Sequence, residues 1–323
     1  MVNWLRIAGN RKLRYRQVTW PVVTLLILIL SAPESHPQEP VQAITVNVRL
    51  VNLNVAVTDK NGQPHSGLTA SNFHIYDNGV EQTIQHFSHD DLPYSMGLVL
   101  DRSGSMAAMI QEVYNAAFHT VRASKAEDEF FIELFNDRVE LRQELTSDQG
   151  LLRRQLEGVV AYGSTALYDA ILAGLDHLRK GRHDKKALLV VTDGADNSSK
   201  HSIREVLERA RAENVIIFVV GMFDEVMLAA ELTREDQLRV LLSQIAEVTG
   251  GRAYFPKSVK QCEQACIAIA RDLREQYSLG YYPRPKLLDG SWRTVQVQLS
   301  LPEDLYRDGL TARTRSGYFA PKQ

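Results

Sequence analysis

The sequence predicts an α/β protein: a doubly wound, mainly parallel sheet inserted in or flanked by a small β-sandwich-like unit. Three observations carry this. Short continuous apolar runs at 96–100, 130–135, 187–192 and 215–220 alternate with stretches of helical period, as buried parallel strands and their crossover helices do. Both flanks instead alternate apolar and polar residues, the period of half-buried strands. At 323 residues the chain also exceeds what one hydrophobic core usually organises.

Residues 1–32 carry Arg6, Arg11, Lys12, Arg14 and Arg16 and no acid, then an apolar run from Val18 to Leu30 that ends in Ser31 and Ala32. A charged start, a short apolar middle and small residues at the end describe a secretory signal peptide. The run is shorter than the ~20 residues of a spanning helix. Leu30 stands where a small residue would favour cleavage, so two forms stay open: a cleaved signal, or an N-terminal anchor that attaches the chain to a membrane through residues 18–32. Either form places the body outside the cytoplasm, in the periplasm, on the cell surface or secreted. Residues 33–43, with Pro33, Pro37 and Pro40, read as a linker.

Residues 44–91 read as the first part of a β unit. Ile44, Val46, Val48 and Leu50 alternate with polar neighbours, and after a phase slip Val51, Leu53, Val55 and Val57 continue the alternation. Further strands are expected at 73–76 and 82–87. Residues 92–275 form the α/β domain. Its strands at 96–100, 130–135, 187–192, 215–220 and 253–255 are separated by helices at 106–124, 148–160, 166–180, 203–212 and 237–248, and a last helix spans 259–274. The segment from Phe223 to Gln237 reads as a surface loop that helps set specificity. Residues 276–320 return to β character, with Val295, Val297, Leu299 and Leu301 in alternation and a closing strand from Ala312 to Tyr318. The two flanks are expected to pair, because the ends of a compact domain often lie close together.

Composition narrows the class. An apolar fraction of 44% and a charged fraction of 24% exclude a mainly disordered or collagen-like chain. The whole chain holds 37 Lys plus Arg against 39 Asp plus Glu, and since the first 32 residues take five of the basic groups, the body is acidic. That excludes nucleic acid as the main partner, which needs a basic face. Cys262 and Cys266 lie four apart on an apolar helical stripe and read as buried small side chains rather than a bridge.

The chemistry lies at two strand ends. Gly97-Leu98-Val99-Leu100-Asp101 runs into Arg102-Ser103-Gly104-Ser105, and Leu188-Leu189-Val190-Val191-Thr192 runs into Asp193-Gly194. Ligands of parallel sheets sit beyond the carboxyl ends of the strands, so Asp101, Ser103, Ser105 and Asp193 emerge at one edge. Thr165, in the polar loop Gly163-Ser164-Thr165, offers another hydroxyl. Oxygen donors without thiolate or imidazole select a hard divalent cation such as Mg2+, Ca2+ or Mn2+, of which Mg2+ is the expected cofactor. A cation held by these five groups keeps a position for an outside anion, most simply an Asp or Glu carboxylate of a protein partner. Asp196 and Asn197 read as solvated loop residues, and Asn197-Ser198-Ser199 also fits a glycosylation acceptor.

Asp101-x-Ser103-x-Ser105, Thr165 and Thr192-Asp193-Gly194 resemble the metal-ion-dependent adhesion site of von Willebrand factor type A domains. The resemblance covers about residues 92–275. It implies that Ser103 and Ser105 bind the metal directly, that Thr165 joins when a ligand is engaged, and that Asp101 and Asp193 act directly or through water. It also implies a last helix able to shift on ligand binding. The flanks, with Gly67-Leu68, the run Tyr277 to Tyr282 and Arg315-Ser316-Gly317-Tyr318, resemble the bacterial group of VWFA-related proteins of acidobacterial type. The expected function is therefore exported, metal-dependent protein recognition or adhesion, not catalysis. Two alternatives stay open: a structural subunit of an envelope assembly, and a metal-dependent hydrolase. Against the hydrolase, Ser103 stands where a haloacid-dehalogenase phosphatase needs a second Asp, no nucleotide-binding glycine motif or Gly-x-Ser-x-Gly elbow is present, and His177, His183 and His201 read as scattered, solvated residues.

Overall fold

The computed structural model describes residues 50–322 except Ala195, 224–227, Leu287 and 303–308. The signal or anchor segment, the linker and the strand expected before residue 50 lie outside the described residues. No helix among the described residues is long and apolar enough to cross a membrane.

The chain enters through β1 (Val51–Thr58), whose Val51, Leu53, Val55 and Val57 are all buried. A 3-10 turn at Ala70–Asn72 leads into β2 (Phe73–Asp77), and Asn78 and Gly79, both at positive φ, turn it into β3 (Val80–Gln82). β4 is Ile84–Ser88. The single strand expected at 82–87 is thus two, with a break at Thr83.

The α/β part follows. β5 (Tyr94–Asp101) is buried throughout, as a central parallel strand must be. A 3-10 turn at Gly104–Ala108 precedes α1 (Ile110–Arg122), then come β6 (Glu129–Phe135), β7 (Val139–Thr146), α2 (Gln149–Leu156) and α3 (Leu167–Leu178). β8 (Lys185–Thr192), α4 (Ile203–Ala212), β9 (Ile216–Gly221), α5 (Leu228–Glu247), β10 (Ala253–Tyr254) and α6 (Val259–Arg274) complete it. The sheet order is β10-β9-β8-β5-β6-β7, parallel except for the edge strand β7, which runs antiparallel to β6. One face packs against α1, α2 and α6 through residues such as Leu98, Phe130, Leu189 and Phe218. The other packs against α3, α4 and α5 through Val99, Phe131, Leu188 and Ile217. This is the doubly wound arrangement. Mid-strand Gly97 is required by it: a Cβ there would lie 2.2 Å from the Phe131 ring and 2.6 Å from Leu188.

One local expectation is corrected here, one strand is unforeseen and another expectation is met. The segment 223–237 is not one loop, because α5 already begins at Leu228. β7 is hidden in the sequence by its charged outward residues, although Val139, Leu141 and Leu145 alternate and pack on the α3 side. Cys262 and Cys266 are buried free thiols on the inner face of α6, as their apolar stripe predicts.

β11 (Tyr277–Tyr281), β12 (Trp292–Leu299), β13 (Thr311–Arg313) and β14 (Gly317–Phe319) return to the strands of the first flank. Among the described residues they build two antiparallel sheets, β13-β1-β11-β4 and β14-β12-β2-β3. β1 pairs with β11, Val51 opposite Tyr281, and with β13; β2 pairs with β12. The stretch 312–318, which reads as one strand, therefore divides between two sheets. Their shared core holds Leu53, Ile75, Tyr277 and Val295, with the Phe73 and Tyr277 rings 5.0 Å apart. It also buries an ion pair: Asp77 accepts from Arg293 Nε (2.6 Å), whose side chain is buried too, and from Tyr281 Oη (3.0 Å) and Tyr318 Oη (2.8 Å). A buried carboxylate needs such a full set of donors.

Candidate functional site

The hydrophobic run of β5 carries Asp101 to the carboxyl edge of the sheet, where its side chain is buried and tied on both oxygens. Oδ1 accepts from Ser103 N at 2.7 Å, and Oδ2 accepts from Thr192 Oγ1 at 2.7 Å, at the end of neighbouring β8. The Asp101 carbonyl accepts from Tyr114 Oη of α1 at 3.0 Å, which ties the strand end to the helix behind it. The extended backbone of Ser103 then brings two hydroxyls to one side: Ser103 Oγ and Ser105 Oγ are 3.1 Å apart. Ser105 Oγ donates to Asp193 Oδ1 at 2.8 Å. Asp101, Ser103, Ser105 and Asp193 thus meet in one hydrogen-bonded chain, although Asp193 follows a different strand.

Thr165 reaches the same place from the loop before α3. It is buried, and its Oγ1 lies 3.5 Å from where a Cβ on Gly194 would stand. No direct hydrogen bond joins Thr165 Oγ1 to the other four among the described residues. Its backbone is fixed by Asn197, whose Oδ1 accepts from Thr165 N at 2.8 Å and whose N donates to Thr165 O at 3.0 Å. Asp196 Oδ1 accepts from Tyr168 N at 3.3 Å. Asp196 and Asn197 are loop residues, Asn197 exposed as expected, and they also clamp the Thr165 loop. Buried Asn136, at the end of β6, is a further clamp: its Nδ2 donates to Tyr162 O (3.0 Å) and its carbonyl accepts from Ala166 N (2.6 Å). Nothing in the sequence pattern singles out Asn136, because its role exists only through tertiary contact.

Burial raises Asp101 above the ordinary carboxylate range, and burial together with the charge of Asp101 pushes Asp193 up to about 7. Neither carboxylate has an ion-pair partner among the described residues. Two partly desolvated acids side by side are a charge arrangement that a cation relieves. The spacing fits one as well: adjacent ligands of an octahedral Mg2+ with bonds of ~2.1 Å stand about 3 Å apart, and the Ser103–Ser105 and Ser105–Asp193 oxygens are 3.1 and 2.8 Å apart. No group of three or more His, Cys, Asp or Glu that could hold a metal occurs among the described residues; the candidate site combines two carboxylates with hydroxyls instead. His177 is not simply solvated: it packs 3.4 Å from buried Glu133 and edge-on to Phe131.

Comparison with known proteins gives the fold a name. No curated protein sequence matches the chain. Among solved structures, an aerotolerance-related membrane protein from Bacteroides fragilis is similar at 15% identity, with 55% of this chain and 98% of that chain covered and a TM-score of 0.45. The conserved hypothetical protein BatB from Bacteroides thetaiotaomicron gives 16% identity, the same coverages and a TM-score of 0.45. Proximal thread matrix protein 1 from the mussel byssus, solved with a zinc-occupied MIDAS motif, gives 18% identity over 61% of this chain and 49% of that chain, with a TM-score of 0.47. The family model of the von Willebrand factor type A domain matches residues 96–265, more than half of the sequence, and the chain belongs to that family.

Proposed function

We propose that this chain is an exported recognition module that presents a divalent cation, Mg2+ in the first place, to a carboxylate of a protein partner. The observation that carries this reading is the meeting of Ser103, Ser105 and Asp193 oxygens at 3.1 and 2.8 Å beside buried Asp101. In it the chain's own residues have separate tasks. Ser103 and Ser105 turn lone pairs toward the ion, Asp193 supplies charge, and Asp101 holds the loop through Ser103 N and Thr192. Thr165, held by Asn197, stands where it can join when a ligand arrives. Hydroxyl donors are neutral and both Asp101 oxygens are engaged by Ser103 N and Thr192 Oγ1, so an ion held directly by Asp193 alone keeps a net positive charge, and an external Asp or Glu is its natural complement.

Titration calorimetry tests the first half: the wild-type chain is expected to bind Mg2+ or Mn2+ at one site, and Ser103→Ala to lose it. Recovery of partners from envelope extracts tests the second half, with EDTA and Ser103→Ala each expected to release them. Recovery of the same proteins under every condition ends the reading. A cation that chiefly stabilises the fold is the second reading, favoured by the burial of Asp101 and its bond to Thr192 across β5 and β8. It predicts a large fall in melting temperature for Asp101→Ala, whereas recognition predicts lost partner binding with a small one.

A further inference from the structure

Arg102 stands between Asp101 and Ser103, and its side chain belongs to a neighbouring surface. The guanidinium lies over the Tyr162 ring, 5.2 Å from its centroid, and Nη2 meets Glu140 Oε2 at 2.9 Å. Arg142 Nη1 meets the other oxygen of Glu140 at 3.0 Å. Together with Leu134, Val159, Val160 and Tyr162, the two arginines line a cleft of about 150 Å³. Its rim is unusually apolar for a surface, since Val160 is 70% exposed and Tyr162 53%. The rim is also held in place: Tyr162 N donates to Arg102 O at 2.9 Å, Asn136 Nδ2 to Tyr162 O at 3.0 Å, and Gly104 N to Gly163 O at 3.0 Å. The bonds to Arg102 and Gly104 run to the loop that bears Ser103, so cleft and candidate cation site share one support.

Single exposed apolar residues are ordinary. Two of them on a fixed rim over a preformed cleft are a different case, because a fixed loop has little ordering entropy left to lose on binding. A cavity of roughly 150 Å³ takes a group the size of benzene. Charge selects the rest of the occupant. The lining cations are two guanidinium groups, both paired to the single carboxylate of Glu140, which leaves a positive surplus next to the place proposed for the ion. Resting on the proposed function, we infer that the cleft is the second contact of the recognition surface. It takes one Leu-, Met- or Phe-sized side chain of an acidic partner segment whose Asp or Glu completes the cation's coordination.

The test uses the full chain and a displayed library of decapeptides with a fixed central Asp, selected in Mg2+. Selected peptides are expected to carry a large apolar residue at one constant offset from the Asp. Val160→Ser and Tyr162→Ala are each expected to weaken such a peptide about ten- to hundredfold, with Mg2+ affinity unchanged by calorimetry. Peptides with no apolar preference, or full affinity in both variants while Ser103→Ala abolishes binding, overturn the cleft and leave the cation bridge standing. Peptides that bind equally well in EDTA overturn the cation bridge and this inference with it. A dimer in sedimentation that Tyr162→Ala dissociates assigns the cleft to a second copy of the chain, which also overturns the inference.

Discussion

Thr192 shows how the site depends on groups that are not themselves candidates for the ion. Its hydroxyl donates to Asp101 Oδ2 at 2.7 Å, so Thr192→Val removes an outer support while leaving all five proposed ligands. Losses of this kind cost about 10–100-fold in metal affinity, and calorimetry with Mg2+ is expected to show a fall in that range. Asp193 gives a pH signature. Its folded value is raised from 3.8 to about 7, so in the cation-free protein its contribution to stability is complete below about pH 4 and is lost as the pH rises through about 7. Urea unfolding in EDTA should therefore show declining stability across that window, and Asp193→Asn should flatten the decline. An unchanged slope in the variant refutes the assignment. Glu133 offers a test away from the site. Burial pushes it up to about 9, while burial and then the charge of nearby Lys180 lower His177, so their 3.4 Å contact joins two uncharged groups. Neither carboxyl oxygen has a hydrogen-bond partner among the described residues. Glu133→Leu is expected to stabilise the protein by about 1–3 kcal/mol at neutral pH, the desolvation penalty of an unpaired polar group. A loss of stability on chemical denaturation would contradict this. At this scale Asp101, Ser103, Ser105 and Asp193 are legible because they follow apolar runs that end abruptly in polar groups, whereas Thr165 is legible only as a hydroxyl in a polar loop before a helix. Asn136 and Asn197 are not, since a clamp is defined by what lies across space from it.

At the scale of elements, the strands that bear the site depend on close packing beneath it. Gly97 in β5 admits the Phe131 ring at a distance where no Cβ fits. Gly97→Val is expected to destabilise the domain by about 1–3 kcal/mol, as overpacking does. Because Gly97 lies four residues before Asp101 on the same strand, Mg2+ affinity should weaken with it, although no proposed ligand is changed; unfolding with and without Mg2+ checks both. Buried strands are readable from short apolar runs with polar ends, since a run such as Leu188–Val191, closed by Thr192-Asp193-Gly194, is too brief for a helix and is buried throughout. β7 is not, because an edge strand with Glu140, Arg142 and Glu144 facing outward looks like a polar connection until β6 supplies its partner. The start of α5 escapes for a related reason: its first turns carry several acids, and charged helical turns read like loop.

At the scale of the whole molecule, the strands of the two flanks complete each other's sheets. β1 has β11 on one side and β13 on the other, and Asp77 of the first flank takes its donors from Tyr281, Arg293 and Tyr318 of the last. Arg293→Ala leaves Asp77 buried with less charge compensation and is expected to cost about 3–5 kcal/mol, with the loss read by chemical denaturation. The pairing of the two flanks can be anticipated from the sequence only as a possibility of geometry, because alternation shows that a strand has an inner face but not which strand lies beside it. Val51 must wait for Tyr281 before its backbone groups are paired. Under the proposed export of the chain, amino terminus first, this ordering has a practical meaning. Until the closing stretch has been delivered, the earliest strands remain open-edged and available to proteases and to neighbouring copies. Completion of the β unit thus reports that its late strands have arrived.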